Sequence, residues 1–162
     1  MSGAWSSPGP GGADVARVLV LACGNELRAD DGIGPEVARA LAARLPADAA
    51  DVLVCHQLSP ELSDAAARAE LVVFVDAAAA GVPGTVRVEP VLPAESVPGG
   101  FTHSLTPATL LALTAALYGR TPRGVIVTIA GESFGFGSEL SGTARHAVPV
   151  ALDCLKEVIA YA

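Results

Sequence analysis

Positive charge is scarce in this sequence. Ten Lys and Arg stand against 17 Asp and Glu, for a net charge of -7 with His counted neutral. That balance argues against a nucleic-acid surface and against docking on anionic lipid. Aromatic residues make up only 4% of the chain, so any core must come from Ala, Val, Leu and Ile, with alanine favouring close helix packing. Cysteine is equally sparse. The three present, Cys23, Cys55 and Cys154, form no CxxC pair. This is neither a disulfide framework nor a zinc ribbon, and it fits a reducing cytoplasm. No apolar run approaches the roughly 20 residues of a membrane helix. The opening "MSGAWSSPGPGGA" has neither the basic nor the apolar region of a signal peptide.

What remains is enough for a core. The 162 residues are 51% hydrophobic and 17% charged, which suits one folded domain and excludes global disorder. Residues 1–14, rich in Gly, Pro and Ser, read as a disordered extension. Residues 15–162 read as a single α/β domain.

Hydrophobic patterning predicts the order of elements. Residues 17–22, "RVLVLA", have the continuous apolar content of a buried strand. Val37, Leu41 and Leu45 recur every four residues in a helix starting near Ile33, which Pro46 ends. Residues 51–58 read as a second strand. Ser59 and Pro60 then stand where an N-cap and a first helical residue would. "LVVFV", 71–75, is the most β-like run and leads directly into Asp76. Residues 85–91 alternate, as an edge or antiparallel strand does. Thr106 and Pro107 open a helix to Tyr118, "GVIVTIA" at 124–130 is another buried strand, and residues 141–162 form a final helix containing Pro149. The expected fold is a three-layer α/β sandwich. Its twisted, mostly parallel sheet has about five strands, with helices on both faces.

Ligands of such sheets sit beyond the carboxyl ends of the strands. Asn25 to Asp31, Asp76, and Gly131 to Ser133 all follow strands, so they should gather at one end. Asp31 precedes a helix, where a carboxylate is also stabilised by the helix dipole. Asp30 beside it makes a pure capping role less economical, since one cap suffices. Asp76 follows five apolar residues, where a carboxylate is costly unless paired or ligating. His103 in "GGFTHSLTP" is a loop histidine by the simplest reading. Together, two carboxylates and an imidazole would make an O, O, N metal site with open positions. Cys23 reads as a small core residue. His56, next to Cys55 on a strand, faces away from it. His146 reads as a solvated helix residue. No third residue completes a serine triad around Ser133, and "CGNELRADDG" is not a dinucleotide fingerprint.

These residues carry a resemblance. "GNELRADDGIG" resembles the GNxLxxDDGxG signature of the hydrogenase maturation endopeptidases. "QLSPEL" with "AELVVFVDA", "THSLTP" and "GESFGFGSELS" resemble three further blocks of that family, in the right order, over about 17–159. The resemblance implies a cytoplasmic peptidase that trims the C-terminal tail of a nickel–iron hydrogenase large-subunit precursor. It carries three metal ligands onto Asp31, where family members often have Glu, and onto Asp76 and His103. The metal would be nickel seated in the precursor, with no tightly bound metal in the protease itself. Gly24 and Gly32 would let the backbone approach a protein substrate, Asn25 would fix the loop, and Glu132 and Ser133 would line the cleft. A monomer is expected. Two alternatives use the same ligands: a non-cutting chaperone that inspects the nickel site, and a same-fold peptidase with another protein target.

Overall fold

The computed structural model describes residues 17–97, 99 and 105–162. The 1–14 extension and His103 lie outside the described residues. Five strands are formed: β1 (Val18–Cys23), β2 (Asp51–Cys55), β3 (Leu71–Ala78), β4 (Val86–Val91) and β5 (Arg123–Ala130). The helices are α1 (Ile33–Ala42), α2 (Leu62–Ala67), α3 (Pro107–Tyr118) and α4 (Gly142–Ala160). The sheet order is β2-β1-β3-β5-β4. All neighbours are parallel except β4, which runs antiparallel to β5 at the edge. This is the α/β architecture that the patterning predicts.

The continuous apolar runs follow from burial on both faces. Val18, Val20 and Ala22 of β1 and Leu71, Val73 and Val75 of β3 point to one face, under α1 and α4. Leu19, Leu21, Val72 and Phe74 point to the other, beneath α2 and α3. Each fully buried Val, Leu or Ile contributes about 1.5–3 kcal/mol relative to exposure. On α1 the four-residue spacing puts Ile33, Val37 and Leu41 into the core. Leu45 packs from the turn that follows.

The cap predicted at Thr106 is formed, and Ser141, expected inside the last helix, caps it instead. The Thr106 hydroxyl accepts the Thr109 N–H at 3.1 Å ahead of α3, and the Ser141 hydroxyl accepts the Ala144 N–H at 3.1 Å ahead of α4. Other boundaries differ. β2 stops at Cys55 because its ladder partner β1 ends at Cys23. Ser59 and Pro60 do not cap a helix: their carbonyls accept from Leu62 and Ser63 in a preceding turn, and α2 starts only at Leu62. Residues Ala29–Gly32 form a 3-10 turn, which apolar periodicity cannot signal because the segment is polar.

Chain order reverses between β1 and β3. From β1 the chain crosses through α1 to β2 on one side, then returns through α2 to β3 on the other. The carboxyl ends of β1 and β3 therefore diverge at a topological switch point, where open α/β sheets form a crevice.

Candidate functional site

The crevice is a cleft of about 220 Å³ whose walls include Cys23, Gly24, Asp31, His56 and Asp76. Its apolar floor is Leu21, Phe74 and Ile126. Asp31 reaches it from the loop after β1. A Cβ at Gly24 would stand 1.9 Å from the Asp31 carbonyl oxygen, so only glycine permits this approach. A Cβ at Gly34 would stand 2.5 Å from the Cys23 carbonyl oxygen, so that glycine lets α1 sit tight against the end of β1. The Asn25 N–H donates to Asp31 Oδ2 at 2.9 Å, and Asn25 Oδ1 accepts the Leu27 N–H at 3.0 Å. Asn25 thus organises the loop. Gly32 is buried in the 3-10 turn, against Glu26.

Asp76 enters the cleft from β3, on the α2–α3 side of the sheet, following the alternation of Val72 and Phe74. Its Oδ1 accepts the Ala77 N–H at 2.9 Å. Burial pushes its carboxyl up to about 6, against the pull of that hydrogen bond, and the Asp31 charge pushes the same way. Among the described residues neither Asp31 nor Asp76 is ion-paired to a basic side chain. Two carboxylates thus face one cleft with no ion-paired cation among the described residues. No group of three His, Cys, Asp or Glu side chains among the described residues converges as a metal cage. His103 is not among them, but Leu105, two positions on, lines the cleft.

Asp30 has a different task. It is fully buried, and it accepts N–H groups from Glu132 at 2.8 Å, Ser133 at 3.1 Å and Ser141 at 2.7 Å, plus the Ser141 hydroxyl at 2.8 Å. Burial alone would raise its carboxyl; these four bonds outweigh it and hold the group below the usual carboxylate range. Glu132 and Ser133 therefore meet the first block through their backbone, while their side chains stay exposed. The rim nearby carries Arg28 stacked 5.5 Å from the Phe136 ring centroid.

Cys23 does not simply fill the core as expected. It is half-buried, lines the cleft, and its sulfur lies 2.7 Å from that of Cys55. The hydrogen bond between the two thiols raises Cys23, with burial adding to the rise, and the same bond lowers Cys55. Cysteines 32 positions apart in sequence meet because β1 and β2 are ladder partners. His56, just beyond β2, is exposed at the cleft mouth, and His146 is exposed on α4.

No family model and no curated protein sequence matches the chain. Solved structures do. The chain is similar to the hydrogenase maturating endopeptidase HybD from E. coli, with a TM-score of 0.73 and 26% identity over 90% of this chain and 93% of that one. It is similar to the NiFe hydrogenase maturation protease HybD from Thermococcus kodakarensis, with a TM-score of 0.68 and 26% identity over 88% and 99% of the two chains. It shares its fold with HycI from the same organism, at a TM-score of 0.71 and 22% identity over 89% and 92%. Fold and cleft together define an enzyme of the peptidase class. Within that class the chain resembles the hydrogenase maturation endopeptidases over nine-tenths of its length, the family its motifs suggest.

Proposed function

We propose that this peptidase removes the C-terminal extension of a nickel–iron hydrogenase large-subunit precursor after nickel insertion, and that it recognises the nickel its substrate carries. One observation carries the reading: Asp31 and Asp76 face one cleft at the switch point with no paired cation among the described residues, and Asp76 is raised by burial and by its neighbour's charge. A divalent ion relieves both penalties. Two carboxylate oxygens and an imidazole from His103 suit a borderline metal such as nickel and leave positions for the precursor's own ligands. Nickel would serve as the recognition handle and polarise the nearby scissile carbonyl as a Lewis acid. Asn25 holds Asp31 in place, and Gly24 and Gly32 keep the loop low enough for a protein substrate. The partner is the precursor alone. The enzyme acts as a monomer in the cytoplasm, and no described helix is long and apolar enough to cross a membrane.

The test is incubation of nickel-loaded precursor with the wild-type chain, Asp31→Asn and Asp76→Asn, read by the mass of the large subunit. Loss of a ligand should slow cleavage by more than the roughly 10–100-fold cost of losing an outer-shell partner. Wild-type rates in both variants would remove these residues from the site. Stable binding without cleavage would assign a chaperone that inspects the nickel site.

A further inference from the structure

Cys23 and Cys55 end β1 and β2, and register makes them direct neighbours across a parallel ladder. Adjacent strands lie about 4.7–4.9 Å apart, within the roughly 4.4–6.8 Å Cα separation that disulfides span. The sulfurs are 2.7 Å apart, and both thiols are free. Neither residue is fully buried, and Cys23 lines the same cleft as Asp31 and Asp76. The third thiol, Cys154, sits on α4, which covers the opposite face of the sheet. Strand packing here would be served as well by valine. Two thiols in contact on a cleft wall add a chemistry that valine lacks.

We propose that Cys23 and Cys55 form a reversible dithiol–disulfide site on the wall of the cleft, oxidised by a low-molecular-weight disulfide such as glutathione disulfide. Contact with Cys23 lowers the Cys55 thiol, so Cys55 is the first attacking sulfur. Its thiolate forms a bond to one glutathione sulfur, the glutathione S–S bond breaks, and the departing thiolate takes up a proton. The Cys23 sulfur then loses its proton and displaces the second glutathione from the mixed disulfide, closing the Cys23–Cys55 bond. Two electrons and two protons pass from the protein thiols to glutathione disulfide, which leaves as two glutathione thiols. Closure ties the end of β1 to β2 one residue before Gly24, where the Asp31 loop begins. The effect on cleavage rests on the function proposed above; the thiol chemistry does not.

The full chain is equilibrated in glutathione buffers of increasing oxidised fraction, quenched in acid and alkylated, and its thiols are counted by mass spectrometry. Two of the three thiols should lose reactivity together, peptide mapping should place the bond between Cys23 and Cys55, and dithiothreitol should restore all three. Cys23→Ser, which keeps the first attacking sulfur, should stop at a glutathione adduct on Cys55. Three reactive thiols throughout, or a bond to Cys154, would overturn the site. In parallel, cleavage of nickel-loaded precursor should fall as the disulfide forms and return on reduction, and Cys55→Ser should show no such dependence. A rate independent of disulfide content would overturn the coupling to the cleft. A reduced chain that cuts nothing would sink the peptidase reading, and the thiol count would still decide this one.

Discussion

Asp30 takes the backbone N–H of Ser141 on Oδ1 at 2.7 Å and the Ser141 hydroxyl on Oδ2 at 2.8 Å, joining residues 111 positions apart. The same hydroxyl caps α4. One buried carboxylate thus ties the loop after β1, the glycine-rich loop after β5 and the start of the last helix into a unit. The two adjacent aspartates divide the labour: Asp30 turns inward to hold the frame, and Asp31 turns to the cleft.

Asp30→Asn should be strongly destabilising. An amide presents N–H groups to the N–H donors that the carboxylate accepts, leaving buried donors unpaired. The expected loss is about 3 kcal/mol, or a fall in Tm of roughly 6–12 °C for a chain of this size. Because the native carboxyl is held below its ordinary value, its contribution is present above the unfolded value near pH 3.9 and is lost as pH falls through the native one. The gap between wild type and variant should therefore narrow in acid. Melting both from neutral to acidic pH checks this; equal Tm at pH 7 would contradict it.

Asp76→Asn should behave oppositely. The native carboxyl, pushed up to about 6, lies above the unfolded value near 3.9. Stability tied to its proton is complete below about pH 4 and is lost as pH rises through about 6. The neutral amide should thus stabilise the metal-free chain by on the order of 2–3 kcal/mol at pH 8, at about 1.4 kcal/mol per pKa unit, and by almost nothing near pH 4. Urea unfolding at the two pH values reads this directly. A variant that gains stability while losing cleavage would mark Asp76 as a residue kept for function at a structural cost. A less stable variant at pH 8 would show that the carboxylate holds up the fold.

Much of the fold was legible because its signals are local. "RVLVLA" and "LVVFV" have no polar side to expose and must be covered on both faces, and Thr106 with Pro107 announces a helix start. The location of the cleft also followed, since strand-end carboxylates converge in a parallel sheet. What was hidden depends on contacts remote in sequence. Nothing near Asp30 says that residues 132, 133 and 141 converge on it. Cys23 looks like a core residue until the ladder sets it beside Cys55. Ser59 and Pro60 carry a genuine capping pattern, and the chain spends one more turn before α2 begins.

Metal content offers a further check. Two carboxylates and one imidazole cannot close the four positions of a structural zinc site, so protein purified without added metal should contain far less than one equivalent. Chelator should leave its Tm unchanged. One firmly held zinc per chain in elemental analysis would instead indicate an autonomous metallopeptidase.

The most direct measurement compares one precursor in two states. A nickel–iron hydrogenase large subunit bearing its C-terminal extension is prepared with and without nickel, incubated with the wild-type chain, and followed by intact mass. The extension should be lost from the nickel-loaded form only, and from neither form with His103→Ala. Cleavage of both forms at similar rates, or of neither, would contradict the proposed function.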